Sequence, residues 1–314
     1  MLEATFPSKK KIPAAVIGAT SMIGSRFCEL TRNEFDLIEA DLGGMIPVDI
    51  TNRDSIDNFF GSHNFEWLIL FSAFTDVDAA ELQKNDKNSS SWQINVEGTK
   101  NVAQSCKIRN KKLVYLSTDF VFDGKNGPYR EEDKPARNSK EISWYGWTKL
   151  KGEHKVIDSG CQFLIGRTSY PYRAKFNTKT DFVRNILERL QNNTLYPMYI
   201  DQFLTPTFID DIVMALQQLI RSGQFGIYNL VDDTTLSAYE AACEIAETFD
   251  FDPKKIEKES TVKFQSENPQ ATKRPIKGGL KNTKLQAFLA SYNLSMLNFS
   301  QALLEMKRQI EGKR

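Results

Sequence analysis

The sequence has little of what builds metal centres, disulfide frameworks or membrane spans. Its 4 cysteines are widely scattered, and its 2 histidines have no partner at ligand spacing. We therefore expect neither a zinc site nor a disulfide framework. Unpaired cysteines favour a reducing, cytoplasmic location. No apolar run approaches the roughly 20 residues of a membrane-spanning helix.

An excess of charge of one sign is also missing. The 41 basic and 40 acidic side chains leave a net charge of +1. This balance gives no electrostatic reason to expect nucleic acid or an anionic membrane as partner. With 314 residues, 40% of them hydrophobic and 26% charged, the chain fits one large α/β domain or a domain with a smaller appendage.

Short apolar runs alternate with helical patterns up to about residue 170, which predicts β-α-β units around a doubly wound parallel sheet. The predicted strands are Ala14–Ile17, Asp36–Ala40, Trp67–Phe71, Leu113–Leu116 and Phe163–Ile165. The predicted helices are Met22–Thr31, Arg53–Phe60, Ser91–Arg109 and Tyr145–Ile157. The looser second half predicts helices at Asn177–Asn192, Ile209–Arg221 and Ser237–Phe249, a strand at Ile227–Leu230 and a loop-rich segment at Lys254–Leu280.

The segment from Val16 to Gly24 combines a strand end, a tight turn and a helix start. A pyrophosphate can bind there on backbone N–H groups at the positive end of the helix. Gly18 would supply the turn and Gly24 would permit close packing, while Ser21 stands where a middle glycine is usual. The candidate cofactor contacts of this segment are Gly18, Thr20, Ser21, Met22, Ile23 and Gly24. A helix-start turn with a purely structural role is the alternative.

Two charged side chains near this turn favour different dinucleotides. Asp41 ends the second predicted strand, where a carboxylate accepts from the adenosine ribose hydroxyls and favours NAD. Arg26 favours NADP, because a cation near the turn could contact a 2′-phosphate. The choice stays open, and Asp41 also fits an ordinary turn residue after a strand.

A tyrosine and a lysine one helical turn apart, Tyr145 and Lys149, follow a hydroxyl-bearing strand end at Ser117-Thr118-Asp119. On a helix, residues i and i+4 share a face, so the phenol and the ammonium can project into one site. We expect the cation to lower the tyrosine pKa from about 10 towards neutrality, which makes the phenol a usable proton donor to an alkoxide. Together these residues predict carbonyl reduction, whereas the pair alone also fits a solvated helical face.

A succession of short motifs runs from residue 14 to residue 285. The motifs are Gly18-x5-Gly24, Val48–Thr51, Ser72–Glu81, Ile94–Thr99, Ser117–Gly124, Tyr145-x3-Lys149, Gly166–Ser169, Asp201–Thr207 and Arg274-Pro275. This succession resembles the dTDP-4-dehydrorhamnose reductase family of extended short-chain dehydrogenases. The resemblance implies an α/β fold, with a doubly wound parallel sheet (Rossmann) and a smaller C-terminal substrate-binding α/β lobe. It places the NAD(P)-binding domain at residues 12–170 plus about 206–232, and the lobe at about 171–205 plus 233–314.

By this resemblance, Thr118, Tyr145 and Lys149 match a catalytic triad. Thr118 would hydrogen-bond the ketone oxygen, Tyr145 would protonate it, and Lys149 would hold the nicotinamide ribose. The reduced nicotinamide would supply the hydride. Beyond the glycine-rich turn and Asp41, the implied cofactor contacts are Asp49, Ile50, Ala73 and Thr75, together with Tyr145 and Lys149.

The resemblance also implies residues that face the sugar nucleotide. The implied substrate contacts are Asp119, Arg167, Gln202 and Arg274, and the basic side chains around Arg274 that could complete an anion site are Lys273, Lys277 and Lys281. An arginine suits bidentate contact with a diphosphate. Two alternatives stay open: Thr75 and Asp78 also fit helix caps, and Asn95 would either support the active-site lysine through water or act as a core amide.

Departures from the family pattern fall mainly on the substrate side. Tyr170 stands where tryptophan is frequent, Leu204 where glycine is usual, and the serine after Arg-Pro is replaced around Gly278. The resemblance still implies NAD(P)H-dependent reduction of a nucleotide-activated 4-keto-6-deoxy sugar, for deoxysugar and surface polysaccharide biosynthesis. Phe120 stands where epimerases and dehydratases of this scaffold need an additional acid or base, which favours simple reduction.

A regulatory role is the alternative of another class. The family resembles the β subunit of methionine adenosyltransferase, which binds a nucleotide and serves a partner enzyme, and a sugar-nucleotide epimerase is a further alternative. The implied cofactor is NADP or NAD. A magnesium ion and a homodimer are possible by the same resemblance, but no metal ligand can be identified in the sequence. The expected partner is a nucleotide sugar, with neither nucleic acid nor membrane.

Overall fold

The structure, a computed structural model, describes residues 10–312. Its strands are β1 (Ile12–Ile17), β2 (Phe35–Ala40), β3 (Trp67–Leu70), β4 (Lys112–Thr118), β5 (Phe163–Thr168), β6 (Pro171–Tyr172), β7 (Met198–Tyr199), β8 (Phe203–Leu204), β9 (Thr207–Phe208), β10 (Gly226–Asn229), β11 (Leu236–Ser237) and β12 (Lys258–Glu259). Its α-helices are α1 (Met22–Thr31), α2 (Arg53–Ser62), α3 (Val77–Glu81), α4 (Ser90–Trp92), α5 (Thr99–Ile108), α6 (Trp144–Asp158), α7 (Phe182–Gln191), α8 (Ile209–Arg221), α9 (Ala238–Thr248), α10 (Thr261–Glu267), α11 (Thr283–Ala290) and α12 (Phe299–Glu311). A π-helical turn, Gln93–Gly98, joins α4 to α5.

A 6-stranded sheet in the order β10-β5-β4-β3-β1-β2 forms the centre of the fold, and its strands are parallel. The chain runs from β1 outwards to β2 and then crosses back over β1 to β3. In such sheets, ligands bind in the crevice at the carboxyl ends of the strands where the winding reverses. The topology therefore places a binding site at the ends of β1 and β3.

Helices cover both faces of this sheet. Phe27 of α1, Leu216 of α8 and Leu285 of α11 pack in one hydrophobic cluster with one face. Ile56 of α2 and Val102 of α5 pack with the other face, beside α6. Strands buried on both sides need continuous apolar runs, and β1 and β3 have them. The predicted doubly wound Rossmann sheet is confirmed.

A smaller lobe has its own core, built from α7, α9 and α12. Three two-stranded pairs surround it: β6 with β9, β7 with β12, and β8 with β11. The predicted domain boundaries stay a prediction. Helix α11 falls in the predicted lobe but packs against β10 and α8 in the sheet layer. The last two residues of the predicted lobe lie outside the described residues.

The five predicted strands of the first half are confirmed, and two predicted helices need correction. The helix predicted at Ser91–Arg109 is not continuous, because the π-turn separates α4 from α5. The helix predicted from Asn177 begins only at Phe182, where the Asp181 side chain accepts from the backbone N–H of Arg184. None of the helices between residues 10 and 312 has the length and apolar character needed to cross a membrane.

One glycine lets α6 approach the chain that follows β4. A Cβ atom on Gly146 would lie 2.1 Å from the backbone oxygen of Phe120, far closer than a carbon atom can come. The absence of a side chain at this position therefore sets the distance between the start of α6 and the end of β4.

We predict that Gly146→Ala lowers the free energy of unfolding by about 2 kcal/mol or more, because the added methyl group forces the backbone apart. Gly61→Ala is the matched control in helix α2, where a Cβ atom meets nothing within 4 Å. That change should be neutral or stabilise by about 0.5–1 kcal/mol. Urea unfolding followed by circular dichroism measures both, and equal effects in the two variants would contradict the packing argument.

Candidate active site

A large cleft lies between the carboxyl edge of the sheet and the smaller lobe. Its volume is about 2220 Å³, which exceeds the roughly 300–1,000 Å³ of typical small-molecule sites. The predicted site residues that line it are Gly18, Thr20, Ser21, Met22, Ile23, Asp41, Asp49, Ile50, Ala73, Thr75, Thr118, Asp119, Tyr145, Lys149, Gln202 and Arg274. The cleft can therefore hold two ligands of nucleotide size side by side.

The turn after β1 packs tightly against the backbone that follows β3. Gly18 has a φ of +90°, and a Cβ atom there would lie 2.4 Å from the backbone nitrogen of Ser72. Gly24 does not line the cleft, but a Cβ atom on it would lie 2.1 Å from the Gly18 oxygen. The Ser21 hydroxyl caps α1 by accepting from the Gly24 N–H at 3.1 Å and donates to the Gly18 oxygen at 2.7 Å. The positive end of α1 thus opens onto the cleft beside a compact turn.

Carboxylates mark the next part of the cleft. Asp41 accepts from the backbone N–H of Thr20 at 2.9 Å and from its hydroxyl at 2.6 Å. Asp49 accepts from the N–H and hydroxyl of Thr51. Between residues 18 and 51, the residues that line the cleft include no lysine or arginine.

Arg26 does not lie where the sequence suggested. Its guanidinium donates two hydrogen bonds to Asp210, at 2.7 and 2.6 Å, and one to Glu29. It does not line the cleft. The prediction of a cation close to a 2′-phosphate is therefore wrong for Arg26, because helix α8 supplies the carboxylate that takes it.

The predicted triad meets at the end of β4. Thr118 is the last residue of β4, and its hydroxyl donates to Asp119 at 3.1 Å. Tyr145 lies in the first turn of α6 and hydrogen-bonds Thr118. The Lys149 ammonium, one turn further along α6, donates to the Leu116 oxygen at 2.7 Å. The structure thus brings together the hydroxyl, the phenol and the ammonium.

Burial dominates the proton affinities of this group. It raises the pKa of Tyr145 well above its usual value, and the hydrogen bond with Thr118 only partly opposes this. It lowers the pKa of Lys149 to about 7, against the attraction of Glu153. The expectation that the cation lowers the Tyr145 pKa towards neutrality is therefore wrong here. The phenol stays protonated, which is the state that a proton donor needs.

Asp119 is a buried carboxyl that ties the end of β4 to its surroundings. The Ser169 hydroxyl donates to it at 2.8 Å, and Thr118 and the Gly279 backbone also hydrogen-bond it. Burial raises the pKa of Asp119 to about 6, although these hydrogen bonds oppose the shift. Its position beside Thr118 in the cleft fits the predicted contact with a substrate.

Arg167 does not face the cleft, contrary to the prediction. Its guanidinium donates to both carboxylate oxygens of Glu153, at 2.9 and 2.7 Å, and lies 5.0 Å from the centre of the Phe122 ring. Both charged side chains are 2% exposed. A buried guanidinium needs a carboxylate partner, and α6 supplies it.

Two basic side chains of the lobe reach across the cleft. Arg274 contacts both carboxylate oxygens of Asp78 at 2.9 and 2.8 Å. Lys179, which the sequence interpretation missed, donates to the Thr75 hydroxyl at 2.8 Å. Helix α3 is capped by Asp76, so the caps suggested at Thr75 and Asp78 are wrong.

Only part of the suggested basic cluster belongs to the cleft. Lys273 lines it beside Arg274, whereas Lys277 and Lys281 do not. The Asn95 side chain is a core amide, because it binds both backbone groups of Phe74 and the hydroxyl of Thr148. Within residues 10–312, no three His, Cys, Asp or Glu side chains come together as a metal site would require.

Known proteins resemble this chain over most of its length. It is 28% identical to the dTDP-4-dehydrorhamnose reductase of Aggregatibacter actinomycetemcomitans, over 86% of this chain and 91% of that protein. It is 25% identical to the methionine adenosyltransferase 2 subunit beta of Bos taurus, over 79% of this chain and 74% of that one.

Solved structures share the architecture. The dTDP-4-dehydrorhamnose reductase of Bacillus anthracis in complex with NADP superposes with a TM-score of 0.82 at 26% identity, covering 96% of this chain and 100% of that one. The UDP-glucose 4-epimerase of Thermus thermophilus, at 17% identity and a TM-score of 0.74, covers 96% of this chain and 99% of that one and shares the fold alone. The sequence model of the RmlD substrate binding domain matches residues 14–310, so the chain belongs to that family.

Proposed function

We propose that this protein is an NAD(P)H-dependent reductase of the keto group of a nucleotide-activated 4-keto-6-deoxy sugar, in the biosynthesis of deoxysugars and polysaccharide. The main support for this proposal is a single cleft that extends from the turn at the start of α1, past Thr118, Tyr145 and Lys149, to the lobe. A dinucleotide and a sugar nucleotide can therefore meet at the triad. The similarity to dTDP-4-dehydrorhamnose reductases supports the same activity.

The residues present fit a dinucleotide. The compact turn at Gly18 and the positive end of α1 suit a pyrophosphate, while Asp41 and Asp49 suit the adenosine end. The nicotinamide cofactor, when bound, supplies the hydride. Lys149 would hold the nicotinamide ribose, because its ammonium lines the cleft one turn from Tyr145.

The proton side of the reduction belongs to the chain itself. A ketone oxygen between Thr118 and Tyr145 would receive a hydrogen bond from each hydroxyl. As negative charge develops on that oxygen, the Tyr145 phenol, which burial keeps protonated, gives it a proton.

The lobe would hold the sugar nucleotide. Gln202 and Arg274 line its side of the cleft, and the Arg274 guanidinium suits a diphosphate. We propose the domain division accordingly, with the sheet for the cofactor and the lobe for the substrate. A cytoplasmic location, a homodimer and a magnesium requirement stay predictions of the sequence.

We predict oxidation of NADH or NADPH when the purified protein receives a 4-keto-6-deoxy sugar linked to dTDP, GDP, UDP or CDP. Loss of absorbance of the reduced nicotinamide measures the reaction with each pair. Turnover with one sugar nucleotide identifies both the preferred base and the preferred cofactor. If the cofactor binds measurably but none of these sugar nucleotides is reduced, the proposed reduction of these substrates is contradicted.

Tyr145→Phe should lower turnover by about 10²–10⁴-fold, since it removes the proton donor. Cofactor affinity should change little, because the ring and Lys149 remain. Tyr292→Phe is the matched control: that phenol hydrogen-bonds Ser222 at 3.0 Å and does not line the cleft. Initial rates measure turnover, and a fluorescence titration with the cofactor measures its affinity. An unchanged rate in Tyr145→Phe would contradict the role of Tyr145 as proton donor.

For the cofactor we propose NADH over NADPH. The Asp41 carboxylate lies beside Thr20, and no cation lines the cleft between residues 18 and 51. A 2′-phosphate there would meet a like charge. We expect Asp41→Asn to raise the affinity for NADPH relative to NADH at least about tenfold. Equal affinities of the two cofactors in the wild-type protein would contradict this preference.

The similarity to the methionine adenosyltransferase β subunit favours a regulatory role as the second candidate. Against it stands the complete triad in the cleft, which a purely regulatory subunit does not need. An epimerase stays less favoured, because Phe120 follows Thr118-Asp119 and brings no additional acid or base. Oxidation of the cofactor by a sugar nucleotide separates reductase from regulator.

A further inference from the structure

Behind the cleft, three buried charged side chains form a row from α6 to β5. Lys149 and Glu153 lie one turn apart on α6 and are 3% and 1% exposed. Arg167 on β5 donates two hydrogen bonds to Glu153. Only Lys149 lines the cleft. A residue of the proposed active site thus lies one helical turn from a buried charge pair that does not line the cleft.

A contribution to stability does not by itself explain why the Glu153–Arg167 ion pair is buried here. A buried ion pair must give up its hydration, and well-packed apolar residues of similar size often serve as well or better. The Glu153–Arg167 pair is also incompletely satisfied, because the Arg167 Nη1 is buried and has no hydrogen-bond partner among residues 10–312. The position of the pair next to Lys149 therefore needs another explanation.

Lys149 has neutral direct contacts. Its ammonium donates to the Leu116 oxygen and lies 4.1 Å from the centre of the Tyr115 ring on β4. Burial lowers the Lys149 pKa to about 7, and the charge of Glu153 partly opposes this shift. Several elements pack against α6 and carry titratable or charged groups. Besides Glu153, these groups are Tyr145, Lys151, His154, Lys155 and Asp158 on α6, Lys112 and Tyr115 on β4, Asp119 after β4, Arg167 on β5, Asp78 and Glu81 on α3, Glu97 in the π-turn, and Lys100, Cys106 and Lys107 on α5.

The other carboxylates near α6 are engaged elsewhere. Glu81 accepts from the Trp144 backbone and pairs with Lys84. Glu97 pairs with Lys100. Asp119 is held by hydroxyl and backbone donors and has its own pKa raised by burial. Glu153 also has a cationic partner, Arg167, but it lies one turn from Lys149 on the same helix and raises the Lys149 pKa against the effect of burial.

We propose that Glu153 is a positioning residue for the reduction: its buried carboxylate keeps the Lys149 ammonium charged in the cleft, and Arg167 holds that carboxylate in place. The inference rests on the proposed function, in which Lys149 holds the nicotinamide ribose. A charged ammonium binds ribose hydroxyls more strongly than a neutral amine does.

The sign of the pH effect follows from the charge of Glu153. A lysine whose pKa is lowered loses its proton as pH rises through that pKa. Without the Glu153 charge, the proton leaves Lys149 at a lower pH. The alkaline limb of the activity profile should therefore move to lower pH in a variant that lacks this charge.

Competitive acetylation measures the charge state of Lys149 directly. Acetic anhydride reacts with neutral amines, so peptide mass spectrometry of protein labelled across a pH series gives the labelling midpoint of Lys149 without cofactor or sugar. We expect the midpoint of Glu153→Gln to fall by about 1 in pH relative to the wild-type protein. The charge-conserving variant Glu153→Asp should stay near the wild-type midpoint.

Asp210→Asn is the matched control. It removes the carboxylate partner of a different arginine, Arg26. That ion pair is partly buried, and Arg26 does not line the cleft. The Lys149 midpoint of Asp210→Asn should equal that of the wild-type protein. An unchanged midpoint in Glu153→Gln, or an equal fall in Asp210→Asn, overturns the proposal. Because the labelling uses no substrate, its outcome is independent of whether a sugar nucleotide is reduced.

A double variant guards against simple loss of folding. Glu153→Gln leaves Arg167 buried without a carboxylate, whereas Glu153→Gln with Arg167→Met removes both charges. The midpoint of the double variant should also lie below that of the wild-type protein, since the carboxylate that acts on Lys149 is gone. A wild-type midpoint in a folded double variant contradicts the role of Glu153.

The pH profile of kcat/KM supplies the functional readout. If Glu153 had only a structural role, Glu153→Gln would lower activity by the same factor at every pH, in proportion to the loss of folded protein. The proposed role moves the alkaline limb in Glu153→Gln and leaves it in place in Glu153→Asp. Parallel profiles in all variants would overturn the coupling to the reaction, even where the labelling midpoint moves.

Discussion

The close approach of α6 to β4 is the constraint on which the site depends. A Cβ atom on Gly146 would lie 2.1 Å from the Phe120 oxygen, and one on Gly152 would lie 2.3 Å from the Tyr115 hydroxyl. The helix is thus pressed against the strand and the turn after it at two points. Tyr145 and Lys149 lie beside and between these glycines. Their positions relative to Thr118 are therefore set by backbone packing.

The same packing determines the electrostatics. A helix this close to the sheet leaves little room for water, so burial raises the Tyr145 pKa and lowers that of Lys149. Both shifts favour the neutral form of the side chain. A protonated phenol is retained readily, whereas a charged ammonium needs support from a buried carboxylate. This asymmetry links the catalytic face of α6 to the ion pair behind it.

The sequence predicts the sheet well, since its strands follow from local patterns. Apolar runs predict β1 to β5, and the residues near the turn at Gly18 lie in the cleft as expected. The π-turn at Gln93–Gly98 is not predictable from a helical pattern that continues through it. It accompanies the tertiary hydrogen bonds of Asn95, whose partners are far away in the chain.

The charged residues were the least predictable part of the site. Arg26 and Arg167 looked like ligand contacts because an arginine near a binding motif suits a phosphate. Their actual partners, Asp210 and Glu153, are distant in sequence or on another element. Glu153 did leave a signal, since it follows Lys149 by one helical turn. Choosing between a ligand and a buried partner requires the three-dimensional packing.

In the proposed reaction, one cleft holds the cofactor and the sugar nucleotide together, so that hydride passes directly between them at the triad. Isotope tracing tests this transfer, with a reduced nicotinamide cofactor that carries two deuterium atoms at its transferring carbon. We expect a sugar product with one deuterium atom at the former keto carbon, detected by mass spectrometry. Cofactor oxidation that leaves no deuterium in the sugar would contradict it.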